Sequence, residues 1–354
     1  MKNALRDDRG RKGSGPNPLL VVLIIVLVAG VGGMLLPSLF RGRDALVVYC
    51  AHDAIFSEKI LRDFERKTGI PVDIVFDTEA TKSLGLVERL IREKNAPRCD
   101  VFWNNQLLGT VDLQERGILE PYQGPGYERI PAAFRHPDGG WVGFAARFRV
   151  YIINTGKLAP TEAAVAKAIE GNLSRVAIAK PIYGTTLTHY TVLWDHFGPD
   201  RLKAWHQDWR KRDVREVGGN AQTKSLVAEG ICDLGWTDTD DFFEARGEGK
   251  PVAVLPVRLE NGSTICDPNT VCIIRGTRRL AQAQKLVDHL LSEECELALA
   301  NSPARQVPLG PVDETKLNDD VRLLRQWLKS AYPLNQLGPA RAACLEWLKG
   351  EMLR

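Results

Sequence analysis

Residues 46–76 read LVVYCAHDAIFSEKILRDFERKTGIPVDIVF. Leu46–Cys50 is a short apolar, β-branched run, the pattern of a buried strand. Ser57 can cap a helix whose apolar positions Ile60, Leu61 and Phe64 share one face. Gly69 stands where that helix must stop. Val72, Ile74 and Phe76 then alternate with polar residues, so a second strand follows. Strand, helix and strand joined by short connections make a parallel pair with the helix packed across it.

The same alternation extends outward. Leu84–Lys94 reads as helix, Cys99–Trp103 as strand and Leu107–Arg116 as helix. It resumes with strands at Arg175–Ala179, Val214–Val217 and Cys232–Trp236, each followed by a helical stretch (187–197, 221–229, 240–247). Val252–Val257 and Thr270–Ile274 read as strands, with Asn261-Gly262 a turn between them. Helices at Leu280–Leu291, Val321–Ala331 and Pro339–Leu353 close the chain. Trp141–Ile153 and Val252–Ile274 are long extended stretches at the junctions and read as two crossings between lobes. The expected architecture is α/β: lobe 1 over 44–147, lobe 2 over 148–257, then 258–354 returning to lobe 1 with the C-terminal helices.

A chain of 354 residues is too long for one ordinary core, which agrees with two lobes. Residues 1–40 hold five basic and two acidic side chains, which accounts for the whole net charge of +3. The rest is neutral, and a neutral body excludes the broad basic face of a nucleic-acid binder. Leu19–Leu36 is apolar or glycine throughout, and as a helix it would rise about 27 Å, close to the hydrocarbon thickness. We read 1–17 as a cytoplasmic basic segment and 18–40 as a transmembrane anchor, with the body exported. The alternative, a cleaved signal peptide, usually has a shorter apolar region. An exported body lies in an oxidising space. Of the seven cysteines, Cys266 and Cys272 flank DPNTV and are candidates to close a small loop; the alternative is buried thiols.

No G-x-S-x-G elbow, H-E-x-x-H, P-loop or dinucleotide fingerprint is present. Nothing supports an enzyme, and two α/β lobes without a catalytic signature point to a ligand-binding cleft. In order along the chain come VVYCAH, FERKTGIPVDI, CDVFWNN before LLGTVDLQERGILEPY, GFAARFRVYIINTGKL, PIYGTT before a helix, LGWTDTDDFFEARGEGKPV, and DPNTVCII with AQKLVDHLLSEE and ARQVPLGP. Over roughly residues 45–312 this series resembles the exported solute-binding proteins of bacterial ABC importers, the ferric-iron-binding group in particular. The resemblance implies a periplasmic-binding-protein-like fold, two lobes joined by hinge strands with ligand between them. It also implies a partner permease in the membrane and a location in the periplasm.

For the site, the resemblance implies His52 as an iron ligand, one position earlier than the group's pattern. Asn104 and Asn105 stand where the group has a carboxylate, and an Asn there also suits a turn. Tyr183, Gly184, Thr185 and Thr186 lie at a strand-to-helix turn, where free N–H groups and the helix dipole favour an anion; plain helix capping is the alternative. Arg147 and Arg149, two apart on a strand, share a face and can offer a fork to an anion or pair between lobes. Asp238, Asp240 and Asp241 repel one another unless a cation or these arginines stand near. Asp238 and Asp240 are the metal candidates and Asp241 a ligand contact. Thr239-Asp240 replaces the tyrosine pair that holds iron in the group. Trp103, Trp141 and Trp236 are core or pocket residues. The expected cargo is Fe(III) with a synergistic anion. Alternatives are a small organic anion, a phosphonate, a polyamine-like cation, or a membrane-tethered sensor of such ligands.

Overall fold

The computed structural model describes residues 45–77 and 84–352. The expected anchor at 18–40 lies outside them. Among the described residues no helix is long and apolar enough to cross a membrane.

The first elements are β1 (Leu46–Cys50), α1 (Ala54–Thr68), β2 (Val72–Phe76), α2 (Leu84–Arg92), β3 (Val101–Asn104), α3 (Leu108–Glu115), β4 (Leu119–Glu120) and α4 (Pro125–Arg129). They lead into β5 (Val142–Asn154). Next come α5 (Glu162–Glu170), β6 (Val176–Ala179), α6 (Gly184–Phe197), α7 (Pro199–Lys211), β7 (Arg215–Val217), α8 (Asn220–Ala228), β8 (Leu234–Asp238), α9 (Thr239–Gly247) and β9 (Val252–Pro256). The chain finishes with β10 (Cys266–Ile274), α10 (Leu280–Leu290), α11 (Glu293–Ala300), α12 (Asp319–Trp327) and α13 (Gly338–Met352).

The strands run in the order β2-β1-β3-β10-β5-β8-β6-β7, with β4 on β10 and β9 on β5. β1, β2 and β3 are parallel, as are β6, β7 and β8, so each lobe has its own βαβ core. β5 is the hinge strand. Its first half pairs antiparallel with β10 and its second half with β8 and β9. Only Tyr151 of its thirteen residues is not fully buried. At Ala145 the strand takes φ 42°, and the β5–β10 register slips between Asp267 and Asn269. Such a bulge re-aims the side chains that follow it. The kink is fastened by Glu296, which is fully buried and accepts from Ala145 N (3.2 Å) and Leu309 N (2.8 Å).

Several expectations need correcting. α1 begins at Ala54, so Ser57 is not its cap but lies in its first turn, bonded to the carbonyls of His52 and Asp53. Cys266 and Cys272 close no loop. Both lie on β10, where six residues of extended chain separate them by about 20 Å, and all seven cysteines are buried free thiols. Asn261-Gly262 is a turn as expected and closes a short antiparallel bridge between Arg258 and Thr264, but the two strands on either side do not pair with each other: β9 and β10 both pair with β5. α7 was not anticipated, although Pro199 after Gly198 and the spacing of Leu202, His206 and Trp209 mark one buried face.

His206 of α7 has a consequence for acid stability. It is 3 % exposed, and its Nδ1 lies 3.0 Å from the Tyr190 hydroxyl. Burial, then the charge of Arg210, lowers its pKa to about 4. The folded state therefore holds the ring neutral while the unfolded chain takes up a proton from about pH 6.5 downward. Stability from this group is complete above that pH and declines as pH falls toward 4. Melting temperatures across pH 7 to 4 are expected to fall less steeply in His206→Gln than in the parent. Identical slopes would contradict this.

Candidate functional site

The carboxyl ends of β1, β3, β6, β7 and β8 converge on a cavity of about 260 Å³. Such ends are where open α/β sheets hold ligands, because helix N-termini and loops rather than paired backbone face the space. Lobe 1 contributes Asp53–Phe56 after β1 and Asn105 after β3. β5 contributes Arg147. Lobe 2 contributes Lys180 and Tyr183–Thr186 after β6, Gly218–Ala221 after β7, and Asp238, Asp240 and Asp241 after β8.

Asp238 ends β8 directly opposite Arg149 of β5. Arg149 Nη1 donates to Asp238 Oδ1 at 2.8 Å and Arg147 Nε to Oδ2 at 3.2 Å. Thr185 Oγ1 (2.6 Å) and Asn220 Nδ2 (3.0 Å) also donate to Oδ2. Burial pushes the Asp238 carboxyl up, but the charges of Arg149 and Arg147 with these bonds outweigh it and hold it below the usual range. Arg149 is fully buried and also donates to Thr185, Asn220 and Thr186. It therefore supports the site from behind and does not line the cavity.

Arg147 is 3 % exposed. Burial pushes its pKa down, but Asp240, Asp238 and Asp267 more than reverse that and keep it charged. Its Nη2 donates to the Asn105 carbonyl across the lobe boundary. Its Nη1 is buried without a hydrogen-bond partner, as is Asn105 Oδ1. Both side chains line the cavity. A buried donor of this kind is costly until a ligand satisfies it.

Ligand oxygens of Asp238, Asp240 and Asp241 lie within 4.8 Å of one another. Asp240 Oδ2 is 3.8 Å from Arg147 Nε. Burial, followed by the charges of Asp240 and Asp238, raises Asp241 to about 8 despite a 2.5 Å bond from Thr237. The cavity thus has an acidic wall and, against it, a cationic wall of Arg147 and Lys180 beside the N-termini of α6 and α8.

Of the expected residues, the fold gathers Asn105, Arg147, Tyr183, Gly184, Thr185, Thr186, Asp238, Asp240 and Asp241 at the cavity. Four others stand outside its lining. His52 turns into lobe 1: 2 % exposed, it stacks between Phe56 and Trp103, with Nε2 3.1 Å from Gln306 Nε2. Asn104 is fully buried and donates to Thr110 at 3.1 Å. Thr239 accepts from Phe148 N at 3.3 Å. Arg149 is the fourth. Trp103 and Trp141 are core, while Trp236, also buried, lines a separate pocket in lobe 2 and not this cavity. Sequence reading missed Asp53, Lys180, Asn220, Lys224 and Glu244. Gly218-Gly219-Asn220 repeats the strand-to-helix turn of PIYGTT and was a legible signal for the second helix N-terminus.

No family model matches the chain. It is 26 % identical over 339 residues to iron uptake protein A1 of Synechocystis, covering 88 % of this chain and 91 % of that one. Its fold matches iron-bound HitA from Pseudomonas aeruginosa with a TM-score of 0.74 at 16 % identity, over 86 % of this chain and 98 % of HitA. It also matches the periplasmic binding protein AfuA from Actinobacillus pleuropneumoniae, solved with fructose-6-phosphate, with a TM-score of 0.68 at 19 % identity, over 88 % and 100 %. The chain has the periplasmic-binding-protein fold, two α/β lobes on shared hinge strands, and over most of its length it is similar in sequence to an iron uptake protein.

Proposed function

We propose that the protein is the periplasmic solute-binding component of an ABC importer, and that its cargo is ferric iron carried with a small anion between the lobes. One observation carries this reading: three carboxylates within 4.8 Å of one another share a cavity with a buried arginine whose Nη1 has no partner. Carboxylate oxygens suit a hard cation. Arg147 with the N-termini of α6 and α8 suits an anion. The similar iron uptake protein and the iron-bound HitA supply the metal. The protein performs no chemistry. Ligand touching Asp53 and Asn105 of lobe 1 and Asp240 of lobe 2 favours the closed form, which the permease recognises.

A second reading is a phosphorylated or carboxylated organic anion without metal. The pairing of Asp238 with two arginines favours it, because it removes one carboxylate from metal ligation, and AfuA with its sugar phosphate shares the fold. Calorimetric titration of metal-free protein separates the two. Ferric citrate is expected to bind one-to-one, and citrate or fructose-6-phosphate alone at least about tenfold more weakly. Binding of either anion without any gain from iron would overturn the iron reading in favour of the second.

A further inference from the structure

A separate pocket of about 230 Å³ lies in lobe 2, on the side of its sheet covered by α6 and α7. One wall is a cluster of aromatic rings packed on one another, and Ile169, Leu193, Leu202, Val257 and Leu259 complete the lining. Trp205 and Trp236 stand parallel at 5.4 Å, Trp209 lies 4.9 Å from Trp236, and Phe197 adds a fourth ring. Inside stands His189, 1 % exposed, its Nδ1 buried without a hydrogen-bond partner. The rim carries Arg201, Arg258 and Glu260. Arg201 is held by Glu260 at 2.5 Å and lies over the Phe197 ring at 4.1 Å. Arg258 is exposed and, among the described residues, its side chain donates to the Gly262 carbonyl at 3.0 Å; two arginines against one glutamate give the rim a net positive charge.

We propose that this pocket is a second binding site, for a small aromatic carboxylate. The volume suits one ring or a fused pair, since an apolar cavity of about 150 Å³ already holds benzene. Indole and phenyl walls favour a flat aromatic body. The carboxylate belongs at the rim, where Arg258 has donors to spare. His189 Nδ1 is available to a polar substituent on the ring. Two features couple the pocket to the cleft. α6 carries Thr185 and Thr186 at the cleft and His189 one turn later in the pocket. Val257–Glu260, which line the pocket, begin the second crossing between the lobes. The inference does not rest on the iron reading.

Phenylacetate titrated into the metal-free protein, followed by calorimetry and by tryptophan emission, is the test. Saturable one-to-one binding with quenching is expected, about tenfold tighter than the cationic phenethylamine. Arg258→Ala should weaken phenylacetate about tenfold, and Leu193→Trp, which fills the pocket, should abolish binding. No saturation by about 10 mM, equal affinity for the two probes, or an unaltered affinity in Arg258→Ala would overturn the proposal. The rim substitution is on an exposed side chain, so it remains informative if the filling variant fails to fold.

Discussion

Replacing Asp238 with asparagine is expected to lower the unfolding free energy by about 3–5 kcal/mol, the range for removing one partner of a buried ion pair. Arg149 has no exposed surface and Arg147 almost none, and both give Asp238 a charged bond. Without that charge two buried guanidiniums stand side by side on one face of the hinge strand with no shared counter-charge between them. Arg149 then keeps only Thr185, Thr186 and Asn220 as neutral partners. Denaturant midpoints at constant slope read the loss directly. A loss under about 1 kcal/mol would mean that the arginines are solvated in a way the buried geometry excludes.

Arg147→Lys tests the ligand side of the same network. The arginine uses three nitrogens differently: Nε on Asp238, Nη2 on the Asn105 carbonyl, and Nη1 free in the cavity. A lysine keeps the charge near Asp238, Asp240 and Asp267 but cannot hold all three directions at once. Affinity for ferric citrate should fall by about 2 kcal/mol, roughly thirtyfold, with a smaller loss of stability than in Asp238→Asn. Equal affinity in the two proteins would remove Arg147 from ligand contact.

Much of this was legible in the sequence, for identifiable reasons. β1, β2 and the crossing strand β5 announce themselves because apolar β-branched runs have few other uses, and Gly69 at φ 70° ends α1 as its position implies. The charge density of TDTDD demanded a positive partner, and the i, i+2 arginines supplied it. What stayed hidden depends on direction. His52 and Asp53 are adjacent, yet one turns into the core and the other lines the cleft. A shift of one residue at a strand end reverses which side is reached, and spacing alone does not fix that. The helix α11 was not expected, and Glu296, which it carries, had no reading in the sequence. Tertiary structure buries it completely, where it also accepts from Gly310 N and Arg129. The helix after β7 was expected from 221, but its place at the cavity was not, because Asn220 carries no charge and Gly218-Gly219 follows a strand of only three residues.

Diffraction at the iron absorption edge from crystals grown with ferric citrate tests the central reading most directly. The account predicts one anomalous peak in the cleft, within coordinating distance of Asp240 or Asp241 and with citrate density on the Arg147 side. Citrate against Arg147 with no anomalous signal among these carboxylates would contradict it.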